Sequence, residues 1–270
     1  MPYPTITEAY IEALARLIYI MNIFSWLNGL SAVVVLAFGN VVGITLLIKY
    51  WRERKKLLPF AALMQLSVAY FFLGPAVTFF SLLLTSSNIS PVAYGFLSYS
   101  HMPLSILNAM YLGYEIFNPK QRNKALLVFG LTGIVYYIAL IGWPQHMFVG
   151  TPGADPMEML DISLRSVILV CAMFYIVCVI FVLGGGFYFL RKKIEGIDRK
   201  RASNLSLSFL LFAFAAILDT VITSQLIMLA RVIMALSVIY LYRGFNIKEE
   251  TQTPHVKQEP DDESMYSKYT

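Results

Sequence analysis

Six long apolar stretches run through the chain, and they constrain the fold more than any other feature. They cover residues 24–50, 58–84, 92–117, 125–143, 162–190 and 204–242. A helix that spans a bilayer needs about 20 apolar residues, so each of the first five stretches can cross once. The sixth stretch contains 39 residues, which is enough for two short spans. We therefore predict an all-α, polytopic membrane protein with a seven-helix transmembrane bundle.

The composition agrees with this class of protein. Hydrophobic residues make up 58% of the chain and charged residues only 14%, which lies outside the usual range of soluble domains. The formal net charge is +5. The basic residues cluster in short loops, however, where they set membrane orientation rather than bind nucleic acid. We expect contact with the lipid bilayer, a multi-pass location in the cell membrane, and no nucleic-acid partner.

The basic residues occur in alternate loops. Those after spans one, three and five are Arg52, Arg54, Lys55, Lys56, Lys120, Arg122, Lys124, Arg191, Lys192, Lys193, Arg199, Lys200 and Arg201. The loops after spans two, four and six contain no Lys or Arg. Because cytoplasmic loops carry the excess of Lys and Arg, we predict an N-terminus outside and a C-terminus in the cytoplasm.

The two ends of the chain are predicted to lie outside the bundle. Residues 1–22 carry Ile6, Tyr10 and Leu14 on one side, which is typical of an amphipathic segment at the membrane interface. Residues 23–245 form the transmembrane domain, with the last turn between spans placed near 223–225. Residues 246–270 are polar, and we expect a disordered cytoplasmic tail that is either a solubilising end or a docking segment.

The third apolar stretch carries a polar stripe. Seven of its residues recur at steps of four and three, which places them on one face of a helix. They are Tyr94, Ser98, His101, Ser105, Asn108, Leu112 and Glu115. Six of the seven carry polar groups, and such groups need partners inside a membrane. This face is therefore predicted to turn toward other helices or toward a watery cavity.

Charged residues in the outer half of the bundle suggest a site. His101 and Arg165 lie in the outer halves of spans three and five, while Asp219 and Arg231 flank the turn between spans six and seven. If their faces converge, they form a net basic pocket that suits a small polar or anionic ligand. The alternative is an Asp219–Arg231 pair that fixes helix packing, beside separately satisfied hydrogen bonds. The candidate ligand-binding residues are His101, Ser98, Ser105, Asn108, Arg165, Asp219 and Arg231.

Signatures of catalysis are absent from the sequence. The three histidines lie far apart, and there is no H-E-x-x-H, G-x-S-x-G or P-loop motif. The glycines at 184–186 lack the following Lys and Ser/Thr of a P-loop and are better explained by close helix packing. We expect no enzyme activity, no metal and no cofactor. Residues 226–242 contain no Lys for a Schiff base, which argues against a retinal protein.

Three short segments of the last two spans are informative. They are FAAILD at 214–219, LAR at 229–231 and IYLYRGF at 239–245. Together they resemble the end of the seven-transmembrane sensor modules that precede archaeal and bacterial histidine kinases and PAS proteins. In those modules an Asp late in helix six, an Arg early in helix seven and a final Gly–aromatic pair recur. The resemblance implies a membrane sensor of unknown stimulus from an archaeon or a bacterium.

Three functions stay open at this level. The first is a receptor or sensor whose outer-half cluster responds to a ligand or to protonation. Residues 246–270 are too short for a kinase or PAS domain, so its signal would pass to a separate cytoplasmic partner. The second is a small transporter or channel that uses the polar stripe of span three. The third is a non-catalytic subunit of a membrane complex. The oligomeric state is open in all three.

Overall fold

The computed structural model describes residues 23–151, 158–221 and 227–246, and the predictions for 1–22, 223–225 and the tail beyond Asn246 lie outside these residues. The described chain is a bundle of helices with a two-stranded sheet at one end. The first helices are α1 (Ile23–Glu53), α2 (Leu58–Ala69), α3 (Leu73–Thr85), α4 (Pro91–Tyr99), α5 (Met102–Phe117), α6 (Arg122–Gly142) and α7 (Pro144–Met147). Strands β1 (Phe148–Thr151) and β2 (Asp161–Leu164) follow, and then α8 (Ser166–Cys178), α9 (Gly186–Leu190), α10 (Gly196–Val221) and α11 (Ile227–Asn246).

Three short non-α segments interrupt or precede the long helices. The 3₁₀ turn Tyr70–Phe72 joins α2 to α3, and a second 3₁₀ turn, Pro119–Gln121, precedes α6. The seven residues Val179–Gly185 are π-helical and join α8 to α9. Since each join continues the helix direction, α2 with α3 and α8 with α9 form two long rods.

Among the described residues, six helical segments are long and apolar enough to cross a membrane. They are Ile23–Glu53, Leu58–Thr85, Pro119–Gly142, Ser166–Leu190, Gly196–Asp219 and Met228–Asn246. They correspond to the predicted spans one, two, four, five, six and seven. The structure therefore confirms a helical bundle of the polytopic membrane type. The predicted start of span five at residue 162 is wrong, because Asp161–Leu164 is a strand and the helix begins at Ser166.

The third predicted span is not one continuous helix. It consists of α4 with 9 residues and α5 with 16 residues, separated at Ser100 and His101. Pro103 explains the break, because a proline lacks the N–H that would bond the carbonyl of Tyr99 and its ring crowds that carbonyl. The Tyr136 hydroxyl donates to the Tyr99 carbonyl at 2.7 Å, and the Tyr137 hydroxyl donates to the Ser100 carbonyl at 2.8 Å. Helix α6 thus supplies the hydrogen bonds that the broken helix loses.

Glycines allow several helices to approach closely. A Cβ atom on Gly39 of α1 would lie 2.7 Å from the Cβ of Ala69, and one on Gly184 would lie 2.8 Å from Leu210 Cδ2. Gly186 lies directly against the ring of Phe117. These distances leave no room for a side chain. The prediction that the glycines at 184–186 serve close packing is therefore confirmed for Gly184 and Gly186.

The two ends of the bundle are closed by different contacts. At one end, Asn88 donates from Nδ2 to the Glu158 carbonyl and accepts at Oδ1 from the Leu160 N–H, both at 2.9 Å. These bonds hold the antiparallel β1–β2 pair against the loop before α4. At the other end, Lys49 Nζ donates to the Phe245 carbonyl at 2.6 Å, which joins α1 to the end of α11.

A cavity inside the bundle as the candidate functional site

A cavity of about 430 Å³ lies among the helices. Its wall is formed by α2 to α5, strand β2, α8, α10 and α11. Most of the lining is apolar, and the polar lining residues are Gln65, Tyr94, Tyr99, Ser105, Ser163, Tyr175, Ser208, Asp219, Arg231 and Ser237. Small-molecule sites in proteins typically measure about 300–1,000 Å³ and combine apolar walls with a few polar groups. The cavity has the dimensions and the lining of such a site.

Arg231 occupies a fixed position in this wall. Its side chain is 4% exposed. Nη1 donates to the Asn28 carbonyl and, at 2.9 Å, to the Ser31 hydroxyl, both on α1. The guanidinium also lies 5.7 Å from the centre of the Phe72 ring, within the range of a cation–π contact. Helix α1 and Phe72 therefore hold a charge that would be costly if it were isolated in a membrane.

Asp219 lines the same cavity from the end of α10 but is exposed. The sequence placed Asp219 and Arg231 at a similar depth, and the structure brings both to the cavity. The sequence did not predict the contacts of Arg231 with α1. The Ser31 hydroxyl in the outer half of span one is the part of this contact that the sequence could have signalled, because the other acceptor is the backbone carbonyl of Asn28, which any residue offers.

The candidate list missed seven of the polar lining residues, and Gln65 is the one among them whose buried side chain has an unpaired polar atom. It lies on α2, is 3% exposed, and finds no hydrogen-bond partner for Nε2 among the described residues. The amide lies beside α1, where a Cβ atom on Gly39 would be 3.2 Å from Nε2. An unpaired buried amide of this kind costs about 1–3 kcal/mol. Gln65 thus carries hydrogen-bonding capacity that the described protein leaves unused.

The polar stripe faces the interior of the bundle, as predicted. Ser98, Ser105 and Asn108 are buried, together with Tyr94 and Leu112. Their uses differ. Ser105 lines the cavity, whereas Asn108 donates from Nδ2 to the Leu104 carbonyl of its own helix at 2.7 Å. Ser98 lies outside the lining, against Gly74 of α3.

Two further residues of the stripe, His101 and Glu115, are engaged in local contacts. His101 lies at the break between α4 and α5, where its ring stacks on Tyr70 with centroids 4.9 Å apart. Its Nδ1 lies 3.1 Å from the Ser100 hydroxyl. Glu115 forms an ion pair with Arg122 at 2.5 Å, near the basic loop before α6.

The predicted candidate set therefore divides into two groups. Ser105, Asp219 and Arg231 line the cavity, while His101, Ser98, Asn108 and Arg165 do not. Arg165 immediately precedes α8 and is exposed, because the chain enters that helix from strand β2. Two of the four ionisable groups are thus absent from the lining, and the described lining holds one carboxylate and one guanidinium.

The described lining contains neither histidine nor cysteine. Throughout the ranges 23–151, 158–221 and 227–246, no group of three or more His, Cys, Asp or Glu side chains could hold a metal ion. The lining itself offers hydrogen-bonding groups, one carboxylate, one guanidinium and apolar contacts.

Comparisons of the chain with protein-family models and with curated proteins find no match. The fold defines a polytopic helical membrane protein, and folds of this class serve many functions. Function is therefore inferred from the cavity and from its connection to the ends of the bundle.

Proposed function

We propose that the protein is a seven-helix membrane receptor or sensor, in which the cavity binds a small ligand and a separate cytoplasmic partner responds. The observation that carries this proposal is the cavity of about 430 Å³ with polar side chains on apolar walls. Such a lining gives a ligand both apolar contact and orientation. Two of its polar residues, Asp219 and Arg231, are also the charged residues of the resemblance to histidine-kinase and PAS sensor modules.

In this proposal α4 and α5 together form the third span, which brings the number of spans to seven. Pro91 begins α4 beside Gly150 of strand β1, and Phe117 ends α5 beside Gly186 of α9. The pair thus runs from the end that carries the sheet to the end that carries the basic loops. The excess of Lys and Arg at the second end supports a cytoplasmic location for it and for the C-terminus.

Helix α11 offers a route for the signal. It carries Arg231 in the cavity wall and Phe245 at the opposite end, where Lys49 of α1 donates to the Phe245 carbonyl. A ligand that binds one position of α11 better than another shifts the population of that position. The shift would change the contact between Lys49 and Phe245, next to the tail that follows Asn246.

A transporter is the second candidate, and the broken third span is the observation that favours it. Interrupted helices form the substrate and ion sites of many transporters, where unwound carbonyls coordinate the ion. Here the carbonyls of Tyr99 and Ser100 accept hydrogen bonds from Tyr136 and Tyr137. They are therefore engaged within the protein, which makes the receptor the better-supported proposal.

The test is ligand-dependent thermal stability of the purified protein in lipid nanodiscs, against a panel of neutral, zwitterionic and anionic compounds. Three proteins are compared: the wild type, Ala216→Phe, which fills part of the cavity, and Ala37→Phe, which adds the same ring outside the bundle. A ligand of the native state raises its melting temperature by mass action. We expect at least one compound to stabilise the wild type and Ala37→Phe but not Ala216→Phe.

Equal stabilisation of all three proteins would contradict binding in the cavity. If no compound stabilises the wild type, and proteoliposomes pass a solute at a rate that Ala216→Phe abolishes, the transporter replaces the receptor.

A further inference from the structure

We infer that the cavity binds a neutral, elongated, amphipathic molecule, and that Gln65 forms the hydrogen bond with its polar group. This inference rests on the proposed function and adds the chemical class of the ligand and its principal polar contact.

The charges of the lining favour a neutral ligand. Asp219 and Arg231 are the charged groups among the described lining residues, and their formal charges cancel. Arg231 also directs Nη1 to α1 and packs its guanidinium over Phe72. A ligand with a net charge would lose its hydration without meeting an excess of opposite charge.

The walls and the volume favour an elongated apolar body. Phe71, Phe72, Met102, Ile106, Phe209 and Phe212 belong to the lining. The volume of about 430 Å³ is roughly three times that of a cavity of ~150 Å³ that accommodates benzene. By this proportion the ligand has roughly 18 non-hydrogen atoms. Aromatic and methionine side chains adapt well to a flexible alkyl or isoprenoid chain.

Gln65 indicates the polar group. Gln65 belongs to the cavity lining, it is 3% exposed, and its Nε2, which packs beside Gly39 of α1, finds no partner among the described residues. A primary amide offers two donors and an acceptor, and rotation of the amide exchanges the positions of its nitrogen and oxygen, so that either can face the cavity. The Ser105 hydroxyl lines the same cavity. A ligand hydroxyl can both donate and accept, and it carries no charge. An alcohol head group therefore matches the unused capacity of Gln65.

The test uses three photoreactive probes of equal chain length, each with a diazirine at mid-chain: hexadecanol, hexadecanoate and hexadecane. They are crosslinked in nanodiscs to the wild type, to Gln65→Leu, and to Gln145→Leu, which makes the same substitution at an exposed residue of α7 outside the lining. Crosslinked peptides are quantified by mass spectrometry, and thermal unfolding confirms that each variant is folded. We expect hexadecanol to label lining residues at least fivefold more in the wild type and Gln145→Leu than in Gln65→Leu. We also expect at least fivefold less labelling by the other two probes.

Equal labelling of the wild type and Gln65→Leu by hexadecanol would overturn the role of Gln65. Stronger labelling by hexadecanoate would overturn the neutral class. Both results would still place a ligand in the cavity and leave the receptor proposal standing. If none of the probes labels a lining residue, the lipid-like ligand class is wrong, whereas the receptor proposal is decided by the compound panel with Ala216→Phe.

Discussion

The backbone carbonyls at the break in the third span have hydrogen-bond partners, whereas the amide nitrogen of Gln65 in the cavity wall has none among the described residues. At the break, the hydroxyls of Tyr136 and Tyr137 donate to the carbonyls of Tyr99 and Ser100, one turn before Pro103. At the wall, Nε2 of Gln65 finds no partner among the described residues. Polar groups inside a membrane need partners. The comparison indicates that the hydrogen bonds from α6 have a structural role at the break, whereas at Gln65 we propose that a ligand supplies the missing partner.

The largest loss of stability is expected at Gly74, where α3 packs tightly against α4, and a much smaller loss is expected for a substitution that projects into the open cavity. A Cβ atom on Gly74 of α3 would lie 2.7 Å from the Tyr94 carbonyl oxygen and would clash with the Ser98 hydroxyl. We expect Gly74→Ala to lower the free energy of unfolding by about 3 kcal/mol, as overpacking does in other cores. SDS-induced unfolding in bicelles measures the change. The control is Ala216→Phe, which adds a ring into the cavity and should cost less than about 1 kcal/mol; equal losses would mean that the cavity is not open.

A smaller effect is expected at the break itself. Tyr136 is fully buried, at 0% exposed, and donates to the Tyr99 carbonyl. Replacing it with Phe keeps the ring but removes the donor to a buried carbonyl. We expect Tyr136→Phe to lower the free energy of unfolding by about 2 kcal/mol, within the usual cost of leaving a buried group without its bond. An unchanged unfolding curve would show that the hydroxyl does not support the break.

The neighbouring tyrosine should matter less. Tyr137 donates to the Ser100 carbonyl, but its side chain is 37% exposed. We expect Tyr137→Phe to lower the free energy of unfolding by about 1 kcal/mol, the typical net value of one hydrogen bond. The same unfolding experiment ranks the two tyrosines, and a larger loss at Tyr137 than at Tyr136 would contradict the account.

The smallest loss of stability is expected at Gln65. An apolar side chain of similar size in place of an unpaired buried amide is nearly neutral or stabilising. We expect Gln65→Leu not to lower the free energy of unfolding of the ligand-free protein, and to raise it by up to about 1–3 kcal/mol if the cost of the unpaired amide is recovered. A loss as large as that of Tyr136→Phe would show that Gln65 is bonded within the protein.

The sequence predicted the six helices that are long and apolar enough to cross a membrane, because length and hydrophobicity are local properties of the chain. It missed the break, although Pro103 is visible, because the polar stripe keeps its helical spacing across that residue. Whether a chain can bend there depends on donors from Tyr136 and Tyr137, each 37 residues away along the chain from the carbonyl it contacts. Such tertiary contacts leave no local pattern.

The site was predicted in part for a related reason. Span order gives the depth of a residue in the membrane, and Asp219, Arg231 and Ser105 do line one cavity. The direction in which a residue points depends on where its helix begins and on its neighbours. Strand β2 moves the start of α8 to Ser166 and leaves Arg165 outside the lining. Gln65 does not belong to a polar stripe like that of span three, so periodicity did not identify it.

The most direct test of the central claim is a cryo-electron microscopy structure of the protein extracted with its native lipids into nanodiscs, with an antibody fragment as fiducial. We predict elongated density inside the cavity, with one end within hydrogen-bonding distance of the Gln65 amide. A collapsed cavity in which Gln65 bonds to another protein group would contradict the claim that the cavity binds a ligand.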